Sequence, residues 1–99
     1  MKKLLADRLR ESRRLLILQL VAAVESRRID TATLGRALRD LDHATERTLL
    51  QSELRWLERQ GLVLIEERPA GWSISLTERG DLARLGDIEE PGVARPELP

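Results

Sequence analysis

The sequence predicts a mainly α-helical domain carrying one small β-hairpin, and three observations lead there. Apolar residues recur every three or four positions over three stretches ending at Gly61, after which the period drops to two. The core must be aliphatic, because 20 leucines stand in a chain that has no Phe or Tyr and two Trp. Hydrophobic residues at 41% and charged residues at 34% give a globular rather than a disordered balance. Ninety-nine residues suffice for one small domain, which is marginally stable alone unless it pairs with a second copy.

The first helix is expected from about Leu4 to Ser26. Leu9, Leu16, Leu20 and Val24 share one stripe with Ile17 beside it, while Leu15, Leu18 and Val21 fall on the other sides. A helix apolar nearly all round is buried on more than one face. The second covering surface is either another copy of the chain or the chain's own C-terminal helix. A second helix follows a cap at Asp30 or Thr31, with Leu34, Ala37, Leu38 and Leu41 spaced by three and four. Gly35 inside it costs about 1 kcal/mol relative to alanine. Asp42, His43 and Ala44 break the period, and Thr45 reads as the cap of a third helix that reaches Gln60 and stops at Gly61. Leu50, Leu54 and Leu57 form its inward stripe.

Leu62 to Glu67 and Trp72 to Leu76 then read as two strands joined by the four residues Arg68-Pro69-Ala70-Gly71. Thr77 caps a short last helix, Glu78 to Leu85. The domain is thus expected over residues 1–86, and residues 87–99, with three prolines and mixed charge but no period, read as an extended C-terminal tail.

Helix, helix, three-residue turn, helix, hairpin, helix is the layout of a winged helix-turn-helix. The run Glu46 to Val63 resembles the recognition helix and first wing strand of such regulators, with inward leucines and Gly61-Leu62-Val63 at the entry to the wing. Leu76-Thr77-Glu78-Arg79-Gly80 is similar to the end of their wing. The whole chain, including Asp7-Arg8-Leu9-Arg10-Glu11 and Pro91-Gly92-Val93-Ala94-Arg95-Pro96, resembles small proteins of Mu-like prophages, often labelled ArsR-type regulators. The resemblance implies a winged-helix fold, DNA binding, and a role in phage transcription or DNA processing. It does not carry over a metal response. Metal-sensing members use cysteine or histidine ligands, and this chain has no cysteine and only His43, with Asp40 and Asp42 nearby.

In the helix-turn-helix mode the outward face of the third helix meets the major groove. The helical wheel turns Thr48, Gln51, Ser52, Arg55 and Arg59 outward, with Arg47 at the flank, and Arg68 stands at the wing tip. Arginine can pair bidentately with guanine, glutamine with adenine, and hydroxyls with base or phosphate. These seven are the candidate DNA-binding residues, and double-stranded DNA is the expected partner. Electrostatics restrains the expectation to a moderate, salt-dependent affinity. Formal net charge is zero, and Glu46, Glu53 and Glu58 offset the arginines of the third helix. The basic excess lies instead in residues 1–28, which hold eight basic and three acidic side chains, whereas residues 80–99 hold two and five.

The alternative is a winged-helix module for dimerisation or protein interaction, to which Leu49 and Trp56, off the inward stripe, would lend an apolar ridge. A homodimer through the first helix and the C-terminal helix is expected in either case. No enzyme is expected: no phosphate-binding glycine loop or paired-carboxylate motif occurs, and the serines have no base other than His43. No metal or cofactor is expected. The apolar run Leu15 to Val24, interrupted by Gln19, falls short of the roughly 20 residues a membrane span needs. The apolar stretch after Lys3 is too short for an export signal, so a cytoplasmic protein is expected.

Overall fold

A computed structural model describes residues 3–97, which form α1 (Leu5–Ala23), β1 (Arg28–Asp30), α2 (Thr31–Asp40), α3 (Arg47–Arg59), β2 (Val63–Arg68), β3 (Gly71–Leu76) and α4 (Glu78–Leu85). The strands make one antiparallel sheet in the order β1-β3-β2. The helices lie where the apolar periods place them, and side-chain caps set their starts. Asp30 accepts the Thr33 amide at 2.7 Å and opens α2. Thr77 accepts the Gly80 amide at 3.0 Å and opens α4, which Gly86 ends in the left-handed region at φ 79°.

Two local expectations are corrected, and one strand is added. The cap of α3 is Glu46, whose carboxylate accepts the amides of Thr48 and Leu49 at 2.9 and 3.1 Å. The Thr45 hydroxyl instead donates to the His43 carbonyl at 2.8 Å, closing the turn before the helix. The hairpin loop is two residues, Pro69 and Ala70, because Arg68 and Gly71 pair across it. Finally, β1 is a strand that three residues are too short to announce. It exists because Ile29 sits opposite Ile74, which is itself opposite Ile65, completing an isoleucine row across the sheet.

The core lies between that row and the helices. Ile17, Leu18 and Val21 of α1, Leu34 and Leu38 of α2, Leu54 and Leu57 of α3, and Val63 and Ile74 of the sheet are fully buried. The inward stripe of α3 falls as read, Leu50 included. The first turns of α1 differ from the rest of it: Leu5 and Leu9 are 71% and 50% exposed, and burial begins at Leu15.

Residues 87–97 contain no helix or strand, yet they are packed. Val93 is buried, the Ala94 amide donates to the Glu11 carbonyl at 3.1 Å, and Glu90 is buried against the Arg79 guanidinium. The path then returns to its origin, where Arg95 donates to the Gly86 carbonyl at 3.4 Å. It is a closed surface loop of the Ω type laid over α1. This loop, together with α4, covers part of the second apolar face of α1.

Candidate nucleic-acid interface

The wheel of α3 sends four rows of side chains to four surroundings. Leu50, Leu54 and Leu57 enter the core. Glu53 and Trp56 face α1 and the C-terminal loop. Glu53 is only 4% exposed and accepts from Arg13 at 3.1 Å and Arg14 at 3.2 Å. The Arg14 guanidinium also lies 3.7 Å from the Trp56 ring centre and donates to the Gly92 carbonyl at 3.1 Å. Trp56 therefore packs within its own chain, while Leu49 stays 40% exposed.

A third row turns to the hairpin. Arg55 donates to Glu58 at 3.1 Å and to Glu67 of β2 at 2.6 Å, and its guanidinium stacks 4.4 Å from the Trp72 ring centre. Glu58 also accepts the Ile65 amide at 3.1 Å. Arg55 is thus a bracket between α3 and the hairpin, with both terminal nitrogens donating to carboxylates. The wheel marked it as outward, which is true, but the hairpin lies outward too. Arg68, at the end of β2, pairs with Glu66 at 3.1 Å.

The remaining row is open to solvent: Arg47, Thr48, Ser52 and Arg59 are exposed, and Gln51 is half-buried. Arg47 and Arg59 are twelve residues apart, roughly 18 Å along the helix, so they do not act at one point. Arg47 and Gln51 instead join side chains from α2. A groove of about 520 Å³ runs between α2, the start of α3 and the hairpin turn, lined by Arg36, Arg39, Arg47, Gln51, Thr31, Thr45 and the backbone neighbourhood of Ala70 and Gly71. Arg36 donates to the Thr33 hydroxyl at 3.2 Å. Arg36, Arg39 and Arg47 form no salt bridge among the described residues, although Arg36 lies near enough to Asp30 to help hold its carboxyl charged.

Arg36 and Arg39 were not among the residues singled out from the sequence, although the signal was present. Ala32, Gly35, Arg36 and Arg39 share a face opposite the buried Leu34 and Leu38. The carboxylates of α3, which weakened the expectation of DNA binding, all turn elsewhere: Glu46 caps, Glu53 is buried under α1, and Glu58 serves the hairpin. Zero net charge therefore coexists with a locally cationic groove.

The cations in that groove are guanidiniums, not helix ends. Hydrogen bonds from the Thr33 amide hold the Asp30 carboxyl below its usual range, and those from the Thr48 and Leu49 amides do the same for Glu46. Both helix N-termini are thereby occupied by the chain's own carboxylates. A second open groove of about 490 Å³ lies on the other side of the hairpin turn, with Arg28 and Arg68 at its walls, and shares Thr31, Ala32, Ala70 and Gly71 with the first.

His43 is half-buried, and no cluster of three metal-ligating side chains occurs among the described residues. No helix among them is long and apolar enough to cross a membrane. Comparison with family models, curated proteins and solved structures finds no match to this chain.

Proposed function

We propose that this chain is a winged-helix protein that binds duplex DNA, serving as a phage or prophage transcriptional regulator or an accessory in DNA processing. The element order α1-β1-α2-α3-β2-β3-α4 and the strand order β1-β3-β2 support the winged-helix reading. The observation that carries the DNA reading is the convergence of Arg36, Arg39 and Arg47, which form no salt bridge among the described residues, on a groove that also presents Gln51. Guanidiniums bind phosphate bidentately. Gln51 supplies both donor and acceptor for an adenine edge. Thr48 and Ser52 extend the exposed row of α3 toward Arg59, and Arg68 flanks the hairpin turn. Arg55 contributes by holding α3 to the hairpin.

Three phosphate contacts give a logarithmic salt slope of about −3 and an affinity in the micromolar range. Fluorescence anisotropy with a labelled duplex in about 50 mM salt tests this. Saturable binding that weakens with that slope is expected, and absence of binding would remove the proposal.

Exposed leucines favour a second reading, a dimerisation or protein-interaction module. Leu5 and Leu9 on α1 are 71% and 50% exposed, and Leu82 and Leu85 on α4 are 36% and 45% exposed. Pairing of two copies through α1 and α4 would cover them, and it is compatible with DNA binding because the groove lies at α2 and α3. Light scattering distinguishes dimer from monomer. A dimer without DNA affinity would select the second reading over the first.

A further inference from the structure

We propose that Gly35 marks the closest approach of the nucleic-acid backbone to the protein, its missing side chain leaving room for a sugar–phosphate segment between Arg39 and Arg47. This rests on the groove binding duplex DNA. A glycine inside a helix costs about 1 kcal/mol relative to alanine, so it calls for a reason. The other glycines have one within the chain. Gly61, Gly71, Gly86 and Gly92 adopt positive φ, and a Cβ on Gly80 would stand 2.1 Å from the Leu62 carbonyl oxygen.

Gly35 has neither reason. It lies within α2 with no positive φ, and a Cβ built there meets nothing within 4 Å among the described residues. Neither the backbone nor packing of this chain requires glycine at that position. What adjoins it is the groove, which Gly35 lines together with Arg36, Arg39 and Arg47. Spacing places Gly35 one turn before Arg39 on the same helical face. A groove floor without a Cβ lies lower between the guanidiniums. A phosphate can then be reached from α2 and from the start of α3 together. A methyl group would hold the backbone away from both sides without removing any charge.

Gly35→Ala separates stability from binding. Alanine favours the helix and meets nothing, so the variant should melt at a higher temperature than the wild type. Duplex binding should weaken about tenfold, and the salt slope should fall by about one or less, because a backbone held away from the guanidiniums loses at most one phosphate contact. Arg39→Ala is the reference, since it should reduce the slope by about one. Gly35→Leu should weaken binding further. Wild-type affinity in Gly35→Ala, alongside a wild type that binds and an Arg39→Ala whose slope falls, would overturn this inference alone. A wild type that does not bind duplex would overturn the groove reading and this inference with it.

Discussion

The Arg14 guanidinium stacks 3.7 Å from the centre of the Trp56 ring while donating to Glu53 and to the Gly92 carbonyl. One side chain thus ties α1 to α3 and to the C-terminal loop. Glu53 is 4% exposed and depends on Arg13 and Arg14 for compensation. Arg14→Ala leaves it with Arg13 alone and removes the cation–π contact as well. A loss of about 2–4 kcal/mol is expected, because an incompletely paired buried charge costs more than a surface pair contributes. Urea unfolding measures it. Glu53→Gln in the Arg14→Ala background should recover part of the loss, because the charge needing compensation is then gone.

Much of this architecture is legible in the sequence, and the exceptions share a cause. Leu50, Leu54 and Leu57, the Thr77 cap and the Gly61 stop are local patterns, decided within one or two turns of chain. The docking of residues 87–97 depends on Arg14, Glu11 and Arg79, from 11 to more than 70 positions away, and no period reports that. The strand β1 likewise exists only because Ile74 lies beside it. At the interface, an outward wheel position distinguished Arg47 and Gln51 from the core but could not show that Arg55 would meet Glu67 and Trp72. Arg36 and Arg39 have no local signal of a shared site, because only the packing of α2 beside the start of α3 brings them to one groove with Arg47.

Two glycines separate a global from a local failure. A Cβ on Gly80 would lie 2.1 Å from the Leu62 backbone oxygen and 2.8 Å from the Leu76 side chain. Gly80→Ala should cost more than about 3 kcal/mol or abolish folding. Gly92 has φ 92°, and a Cβ there would stand 2.7 Å from the Trp56 ring. Gly92→Ala should release the C-terminal loop and leave the core folded. Trp56 then gains exposure, so a red-shifted tryptophan emission with a retained cooperative transition is the expected result. A thermal melt followed by circular dichroism and fluorescence compares the two variants.

Acid should destabilise the fold through three named carboxyls. Hydrogen bonds from the Thr33 amide, from the Thr48 and Leu49 amides, and from the Arg84 and Arg27 guanidiniums hold Asp30, Glu46 and Asp81 respectively below their usual range. Each is a depressed carboxyl, so it binds a proton more readily unfolded than folded. Its contribution is present above the unfolded value of about 4 and is lost as pH falls through the folded one. Unfolding midpoints in urea should therefore be flat from neutrality to about pH 5 and drop below about pH 4. Replacing Asp30 with Asn and Glu46 with Gln should lower stability at neutral pH and shrink that drop. An acid limb as steep as the wild type's would show that other groups control it.

Removing arginines one at a time should separate those that face the groove from the one that braces it. Arg36, Arg39 and Arg47 form no salt bridge among the described residues, so alanine at any of them should leave stability within about 0.5 kcal/mol. Each should lower the salt slope of duplex binding by about one. Arg55→Ala breaks contacts to Glu58, Glu67 and Trp72 that are partly exposed, and a stability loss of about 1 kcal/mol is expected. Its salt slope should stay at the wild-type value, since the guanidinium is already neutralised by carboxylates, while affinity falls modestly as the hairpin loosens. Gln51→Ala should change neither stability nor slope, but should reduce the difference in affinity between duplexes of unlike sequence. Paired urea and anisotropy measurements on these five variants check the assignment. A slope reduced by Arg55→Ala and unchanged by the other three would return the interface to the second half of α3.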